Sequence, residues 1–368
     1  THLREPGHEE AERVETGARA AALGGYTAVV AMPNTEPAID SAGGVRQIRE
    51  LGEKALVEVA VAGAITMGRR GEQLAPLAEM AALGVRLFTD DGASVQDARL
   101  MRRAFEYASA LGVTLAQHCE DAALARGGHM HEGEWSSRLG LGGVPAEAEE
   151  LMAARDLALA RRAGARLHLL HLSTAGSVAL VRAAKADGGL EVTAEATPHH
   201  LSLTDAEVAS YDPVFKVSPP LRSQGDVEAV RAGLLDGTID AIATDHAPHP
   251  QEAKEAPFDQ APPGMTGLET ALAVALTYAG LSLESVLALC SWRPAAIAGL
   301  DGRHGGPVSA GRPANLCVVD PAESWVVDPA RTASRSRNTP FAGRRLAGRV
   351  RHTVYRGEPV VVDAEAQR

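Results

Sequence analysis

The stretch RLHLLHLSTAGSVALVRAAKADGGLEVTAEATPHH, residues 166–200, contains the structural unit that recurs along the chain. Apolar residues dominate Arg166–Leu170 and Leu190–Ala194, and the alanine-rich segment Ser177–Ala186 between them has the spacing of a helix. Strands that are apolar on both faces and are joined by a helix are typical of a parallel sheet. Both strands of this unit lead into polar residues that include histidine.

The same alternation covers most of the sequence and predicts seven strands in all. The other five strands are predicted at Tyr26–Ala31, Val57–Val61, Val85–Thr89, Val113–Gln117 and Ile239–Ala243. Further helices are predicted at Glu9–Leu23, Leu74–Leu83, Ala98–Leu111 and Ala146–Ala163. This pattern favours a (β/α)8 barrel, whose eighth strand we expect just before Thr1. An open doubly wound sheet is the alternative, but no GxGxxG or GxxxxGK[ST] motif follows the first strand.

The pattern changes after Gly311, where short strands replace the helices. These strands are predicted in ANLCVVD (314–320), SWVVD (324–328) and VRHTVYRGEPVVVD (350–363). We therefore predict a catalytic barrel domain over residues 1–310 and the C-terminal part of a small β domain over residues 311–368. Strands preceding Thr1 are expected to complete the small domain.

Composition excludes several classes of protein. The chain has 368 residues and a net charge of −11, which argues against nucleic acid or an anionic membrane as the main partner. Its three cysteines are odd in number and widely scattered, as expected in a reducing compartment without a disulfide scaffold. The longest apolar run, Thr270–Leu283, is shorter than the ~18 residues of a membrane span. We expect a cytoplasmic protein.

Polar side chains follow the predicted strands, where a (β/α)8 barrel carries its active site. Strand ends supply Asp91, His118, His171 and Asp245, and His2 has the same place after the expected eighth strand. Imidazole nitrogens and carboxylate oxygens are the ligands that Zn²⁺ and similar metals take in such sites. A bridging carboxylate would also hold two metals ~3.5–4 Å apart. The pattern therefore predicts a metal site.

Other polar residues near these strands are interpreted as structural. His199 and His200 are adjacent and would face opposite ways in a strand, and His168 lies inside one. The sequence His129-Met130-His131 has the spelling of a metal motif but lies in a glycine-flanked loop. Asp90 could exchange roles with Asp91, although pleating lets only one of them point into the barrel mouth.

Two motifs, THLREPG (1–7) and ATDHAPH (243–249), resemble the signatures of dihydroorotases, which belong to the amidohydrolase superfamily of metal-dependent (β/α)8 barrels. The segments AMPNT, LFTDDG, HCED, HLST, TAEATPHHL and SPPLR occur in the same order as in type I dihydroorotases. The resemblance spans essentially the whole chain. It implies reversible cyclisation of N-carbamoyl-L-aspartate to L-dihydroorotate, with loss of water, in pyrimidine biosynthesis.

The resemblance also implies a role for each strand-end residue. The family motif is HxHLREPG, so His2 would bind the first metal together with a histidine expected immediately before Thr1. Asp91 would bridge two Zn²⁺ ions, in a place where many superfamily members have a carbamylated lysine. His118 and His171 would bind the second metal, and Asp245 would contact the first and act as the general acid and base.

Substrate contacts are implied in the same way, at Arg4, Asn34, Ser218, His249, Pro263 and Gly264. A guanidinium suits a substrate carboxylate because it can donate two parallel hydrogen bonds. Members of the family often have asparagine where this chain has Ser218, and the shorter hydroxyl reaches less far. Residues Pro250–Gly264 resemble the family's substrate-covering loop.

Two alternatives stay open at this point. One is another cyclic-amide hydrolase, such as an allantoinase or a hydantoinase. The other is a metal-free, dihydroorotase-like scaffold for aspartate carbamoyltransferase. Small-molecule substrates are the expected partners, and the sequence leaves both a homodimer and a carbamoyltransferase complex open.

Overall fold

The computed structural model describes residues 1–367. Its strands are β1 (Ala28–Ala31), β2 (Glu58–Val61), β3 (Leu87–Phe88), β4 (Thr114–Gln117), β5 (Met130–His131), β6 (Gly143–Val144), β7 (Arg166–Leu169), β8 (Val192–Ala196), β9 (Ala241–Ile242), β10 (Leu316–Val326), β11 (Arg345–Tyr355), β12 (Glu358–Val362) and β13 (Glu365–Ala366). Its α-helices are α1 (Val14–Leu23), α2 (Ala42–Gly52), α3 (Leu77–Ala82), α4 (Ala98–Leu111), α5 (Glu134–Leu139), α6 (Glu147–Ala163), α7 (Ala175–Asp187), α8 (Gln224–Asp236), α9 (Gln251–Lys254), α10 (Ala271–Tyr278), α11 (Leu283–Cys290) and α12 (Trp292–Ile297). None of the helices in this part of the chain is long and apolar enough to cross a membrane.

Seven parallel strands form the barrel wall, as the sequence predicts. β1 pairs with β2, and β3, β4, β7, β8 and β9 pair in that order. A parallel bridge between Gly63 and Phe88 joins the two groups. The first residues run between the ends of β1 and β9, because Met32 N donates to Thr1 O at 3.0 Å and His2 N donates to His246 O at 2.9 Å. The predicted barrel with an additional β-rich sheet is confirmed.

Element boundaries depart from the predictions at several places, and the strands predicted at 314–320 and 324–328 largely coincide with the single strand β10. β8 begins two residues later than expected, at Val192. Helix α1 begins at Val14, five residues later than expected, because the Glu5 carboxylate accepts a hydrogen bond from Val14 N at 2.8 Å. Residues 8–13 instead form turns that bury the side chain of Glu12.

The small antiparallel sheet packs directly on the barrel. Its order is β10-β11-β12-β13. Thr353 in β11 donates to Ala22 O of α1 at 2.7 Å, and the amide of Ala347 donates to Thr277 Oγ1 of α10 at 2.9 Å. A Cβ on Gly348 would lie 2.3 Å from Leu276, so glycine lets sheet and helix approach closely.

Between β10 and β11 the chain leaves the small sheet and runs to the barrel mouth. We call residues 333–339 the mouth segment. Ser336 Oγ donates to Ala11 O at 2.7 Å, and Arg335 N donates to Glu12 Oε1 at 3.1 Å. These contacts join the mouth segment to the turns before α1. The division into domains at residue 310 stays a prediction.

Glu269 binds the mouth segment from the other side. Its carboxyl group accepts from Ala333 N at 2.9 Å and from Ser334 N at 3.3 Å. Burial raises the pKa of Glu269 from 4.5 to about 7. As the pH rises from about 4.5 to 7, the unfolded chain therefore loses this proton before the folded one, and the free energy of unfolding falls. A shift of this size corresponds to on the order of 3 kcal/mol.

Replacing Glu269 with glutamine is expected to raise the unfolding temperature at about pH 8 and to change it little at about pH 4. The amide oxygen keeps both hydrogen bonds without burying a charge. Thermal unfolding followed by circular dichroism across this range checks the prediction. Glu284→Gln, at an exposed position of α11, is the control. A Glu269→Gln variant that is less stable than the parent at pH 8 contradicts it.

Candidate active site

The five strand-end residues predicted to bind metal come together at the barrel mouth. Asp91 follows β3, His118 follows β4, His171 follows β7 and Asp245 follows β9, and His2 lies beside them. All but Asp245 are at most 6% exposed. His171 and Asp245 have positive φ angles of 32° and 40°. Backbone strain of this kind persists where surrounding structure imposes it, often at functional sites.

The ligand atoms form two sets that share one carboxylate. In the first set, His2 Nε2 lies 3.1 Å from Asp245 Oδ1 and 3.3 Å from Asp91 Oδ2. In the second, His171 Nε2 lies 3.0 Å from His118 Nδ1 and 3.4 Å from Asp91 Oδ1. Each carboxylate oxygen of Asp91 therefore faces a different set. The arrangement suits a carboxylate that bridges two metal ions.

The ligand atoms of each set lie within 4.8 Å of one another, as the ligands of a metal ion do. His118 Nδ1 and His171 Nε2 point at each other in a buried site, where unprotonated imidazole nitrogens act as ligands. His2 Nδ1 lies 2.8 Å from Asn34 Oδ1, so Nδ1–H donates to the amide oxygen and Nε2 is left for a metal. Asn34, expected as a substrate contact, thus also orients His2.

The structure separates the roles of the adjacent aspartates. Asp90 turns away from the mouth, and its Oδ1 accepts from Ile65 N at 2.8 Å and Thr66 N at 3.0 Å. Asp91 turns into the mouth, and its backbone oxygen accepts from Arg69 Nη2 at 2.8 Å. Asp90 therefore anchors the strand end, and the anchored backbone presents Asp91. Sequence analysis did not single out Arg69.

Charges in the cluster strongly shift the pKa values of its aspartates and histidines. Burial alone would raise the pKa of Asp91, but the hydrogen bond from His171 and the nearby imidazoles hold it below the ordinary range. Burial would likewise lower the pKa of His171, yet Asp91 and Asp245 raise it to about 9. Burial would raise the pKa of Asp245 as well, but the contact with His2 and the nearby His171 lower it to about 2. Both aspartates are therefore ionised at neutral pH.

Beside the cluster lie the residues expected to bind the substrate carboxylate. Arg4 Nε donates to Pro248 O at 3.1 Å, and Arg4 Nη2 lies 3.4 Å from His249 Nε2. His249 Nε2–H donates to Pro263 O at 2.8 Å. A Cβ on Gly264, whose φ is 143°, would lie 2.8 Å from His249 Nε2, so only glycine fits there. Burial and the neighbouring Arg4 lower the pKa of His249 to about 3, so the positive charge here is that of Arg4. We call this part of the mouth the cationic corner.

Two lysines, Lys254 and Lys216, hold the loop Pro250–Gly264 over this corner through hydrogen bonds. Lys254 Nζ donates to the backbone oxygens of Pro213, Lys216 and Pro262 at 2.8–3.3 Å. Lys216 Nζ in turn donates to the oxygens of Phe258 and Asp259. Burial lowers the pKa of Lys254 to about 7. Neither lysine was predicted, because their partners are backbone atoms that leave no pattern in the sequence.

Ser218, the remaining expected substrate contact, is engaged within the protein. Its hydroxyl donates to Glu120 Oε2 at 3.1 Å, and Glu120 lies 4.0 Å from His118 Nε2. Ser218 thus reaches the edge of the second ligand set through Glu120.

A further buried pair supports the loop that carries Asp245. His246 Nδ1 accepts from Gly267 N at 3.1 Å, so Nε2–H donates to Glu12 Oε2 at 3.2 Å. Glu12 also accepts from Ser334 of the mouth segment. Its pKa is lowered by the bonds from His246 and Ser334, although burial opposes the shift. Glu12 lies in the segment predicted as the helix Glu9–Leu23, and this role was not predicted.

The remaining histidines lie outside the two ligand sets. His129 and His131 have cationic neighbours, Lys216 and Arg222, at 3.4 and 3.2 Å. His168 bonds to Thr193 and Glu195 in the barrel wall, and His200 bonds to Thr197 and Pro219. Neither these residues nor His199 belongs to a group that could hold a metal among residues 1–367.

Comparison with known proteins agrees with the site. The family described as dihydro-orotase-like matches residues 1–177. The "Dihydroorotase" of Streptomyces coelicolor is 54% identical over 99% of this chain and 86% of that protein. The "Dihydroorotase" of Pelotomaculum thermopropionicum is 50% identical over 98% of this chain and 85% of that protein.

This chain belongs to the dihydroorotase family. Among solved structures, an L-hydantoinase from Arthrobacter aurescens aligns with a TM-score of 0.89 and 26% identity, over 100% of this chain and 84% of its own. A D-hydantoinase aligns with a TM-score of 0.85 and 22% identity, over 100% of this chain and 84% of its own, which shows a shared fold. The dihydroorotase relatives are thus closer in sequence than these hydantoinases.

The Asp90–Asp91 pair allows a matched test of the metal site. Asp91→Asn is expected to lower the metal content of the purified protein by at least about half, because it removes the shared negative charge. Asp90→Asn should keep most of the metal, because its amide oxygen can still accept from Ile65 N and Thr66 N and so hold the backbone that presents Asp91. It should lower thermal stability, because Thr66 loses its charged partner. Elemental analysis by mass spectrometry measures both. Equal metal loss in the two variants would contradict this assignment.

Proposed function

We propose that this protein is a dihydroorotase that interconverts N-carbamoyl-L-aspartate and L-dihydroorotate, with loss of water on ring closure. The observation that carries the proposal is the shared Asp91 carboxylate between two ligand sets, next to the cationic corner of Arg4 and His249. A metal pair can activate water and polarise a cyclic amide, and a guanidinium can bind the carboxylate of an anionic ring substrate. Family membership supports the same activity.

The proposed cofactor is a pair of Zn²⁺ ions in each chain. His2 and Asp245 would hold one ion, His118 and His171 the other, and Asp91 would bridge them. Mixed imidazole and carboxylate donors suit zinc. When bound, such a pair polarises an amide carbonyl and lowers the pKa of the attacking water towards ~7.

Asp245 is the proposed general acid and base. In the hydrolytic direction, the oxygen of water bonds to the ring carbonyl carbon and the bond from that carbon to the ring nitrogen breaks. Asp245 is ionised, because its pKa is lowered to about 2, and it can accept the proton of the attacking water. It then passes that proton to the departing nitrogen, and ring closure is the reverse.

The cationic corner is proposed to hold the substrate carboxylate. The Arg4 guanidinium would pair with the carboxylate, and His249 and the amide group of Asn34 would complete the clamp. Ser218 and the backbone of Pro263 and Gly264 are proposed to border the ring. Holding the reacting carbonyl in place converts binding energy into a lower barrier.

The hydantoinase alternative rests on the shared fold, and fold alone does not fix the substrate. Arg4 and His249 favour a substrate with a carboxylate, which a simple hydantoin lacks. A metal-free scaffold would have no need of the five metal-binding side chains. Size-exclusion chromatography with and without aspartate carbamoyltransferase would detect a homodimer or a complex with that enzyme.

Asp245→Asn is expected to lower kcat for L-dihydroorotate hydrolysis by about 10²–10⁴-fold, the usual contribution of a general acid and base. Absorbance of the substrate follows the reaction, and metal analysis of the same sample separates proton transfer from metal loss. Asp240→Asn is a control, because Asp240 pairs with Lys185 away from the ligand sets. An Asp245→Asn variant with the parent's rate would refute the role.

Substrate preference separates the proposal from its alternative. We expect kcat/KM for L-dihydroorotate to exceed that for allantoin and for 5-substituted hydantoins by more than about 100-fold, because the clamp is left unpaired without a carboxylate. Initial rates with equal enzyme concentrations measure this ratio. Faster turnover of a hydantoin would favour the hydantoinase alternative.

A further inference from the structure

The side-chain amide of Asn338, in the mouth segment, forms three hydrogen bonds to the backbone of other residues at the barrel mouth. Its Nδ2 donates to Ala247 O at 3.0 Å and to Gly264 O at 3.1 Å. Its Oδ1 accepts from His249 N at 3.2 Å. The side chain is 6% exposed, so these partners stand in for water.

The three contacts lie at the two ends of the loop that covers the cationic corner. Ala247 and His249 precede the loop Pro250–Gly264, and Gly264 ends it. Asn338 therefore links the segment that enters the loop to the residue that ends it. Because Gly264 packs against the His249 ring with no room for a Cβ, fixing Gly264 also fixes the imidazole.

We infer that Asn338 is a positioning residue for the substrate-carboxylate clamp, acting through the backbone of His249 and Gly264. The inference rests on the proposed function, since the clamp is the part of the site that distinguishes an anionic ring substrate. The side-chain hydrogen bonds of Asn338 are to Ala247, His249 and Gly264, and none of these residues belongs to the two ligand sets. It acts on substrate binding and leaves the metals and Asp245 in place.

Only an amide satisfies this position. Aspartate has nearly the same shape, but its carboxylate would face the carbonyl oxygens of Ala247 and Gly264, which need donors. Alanine would leave two buried carbonyls and one N–H without partners. Serine can still donate one hydrogen bond. The three substitutions therefore form a graded series.

The test compares steady-state kinetics of Asn338→Asp, Asn338→Ala and Asn338→Ser with the parent protein, using L-dihydroorotate and N-carbamoyl-L-aspartate. We expect KM for both substrates to rise by about tenfold or more in the aspartate and alanine variants, and less in the serine variant. We expect kcat to stay within about threefold of the parent and the metal content to be unchanged.

Asn315→Ala is the matched control. Asn315 also bridges backbone groups, Arg303 O and Arg356 N, but Arg303 pairs with Glu58 at the start of β2, the opposite end of the barrel from the mouth. It should lower the unfolding temperature without changing KM. A rise in KM with Asn315→Ala equal to that with Asn338→Ala would overturn the inference, because general destabilisation would then explain both.

The outcomes also separate the inference from the proposed function. A parent protein that turns over L-dihydroorotate, with Asn338 variants that keep its KM, overturns the inference alone. Variants that lose metal and kcat together while keeping KM overturn it as well, since Asn338 would then support the ligand sets. A parent protein with no turnover of either substrate overturns the proposed function and this inference with it.

Discussion

The carboxylate of Asp91 faces two ligand sets, one with each oxygen, and the geometry of the mouth depends on that sharing. Its orientation is fixed from behind, because Asp90 anchors the same strand end to the backbone of the neighbouring loop and Arg69 holds the Asp91 carbonyl. A short side chain reaches both sets only if its backbone is fixed close to them. Of the two adjacent aspartates, Asp90 thus anchors the strand end and Asp91 faces both ligand sets.

Concentrating ionisable groups in a buried mouth is costly unless each group has a partner. The cluster meets this demand with mutual contacts among imidazoles and carboxylates, and Glu12 meets it with His246, Ser334 and Arg335. Glu269 and Asp90 differ, since their hydrogen-bond partners are neutral groups and burial raises the pKa of both carboxyl groups. The mouth segment is bound by both Glu12 and Glu269, and it carries Asn338 to the loop over the clamp.

Much of the barrel and the ligand sets could be predicted from the sequence because the information is local. A strand, its end and the polar residue that follows are contiguous, so His118 and His171 could be placed by counting. The role of Asn338 could not be predicted, because it is 89 residues from His249 in sequence and lies in a polar run typical of a surface loop. Asn34 shows a different limit. It was expected as a substrate contact, but its hydrogen bond to His2 depends on how two strand ends meet in space.

Charge gives a last constraint on how the substrate is recognised. The chain carries a net charge of −11, which disfavours the approach of an anionic substrate. At physiological ionic strength, however, exposed charges more than ~8–10 Å apart are largely screened. A substrate at the mouth therefore responds mainly to charges within that distance, which include Arg4 and whatever metals the ligand sets hold. Global repulsion would slow association and weaken as salt is added, whereas affinity depends on contacts inside the mouth. For this reason, the placement of a few backbone groups around the clamp can affect substrate affinity more than the net charge of the protein does.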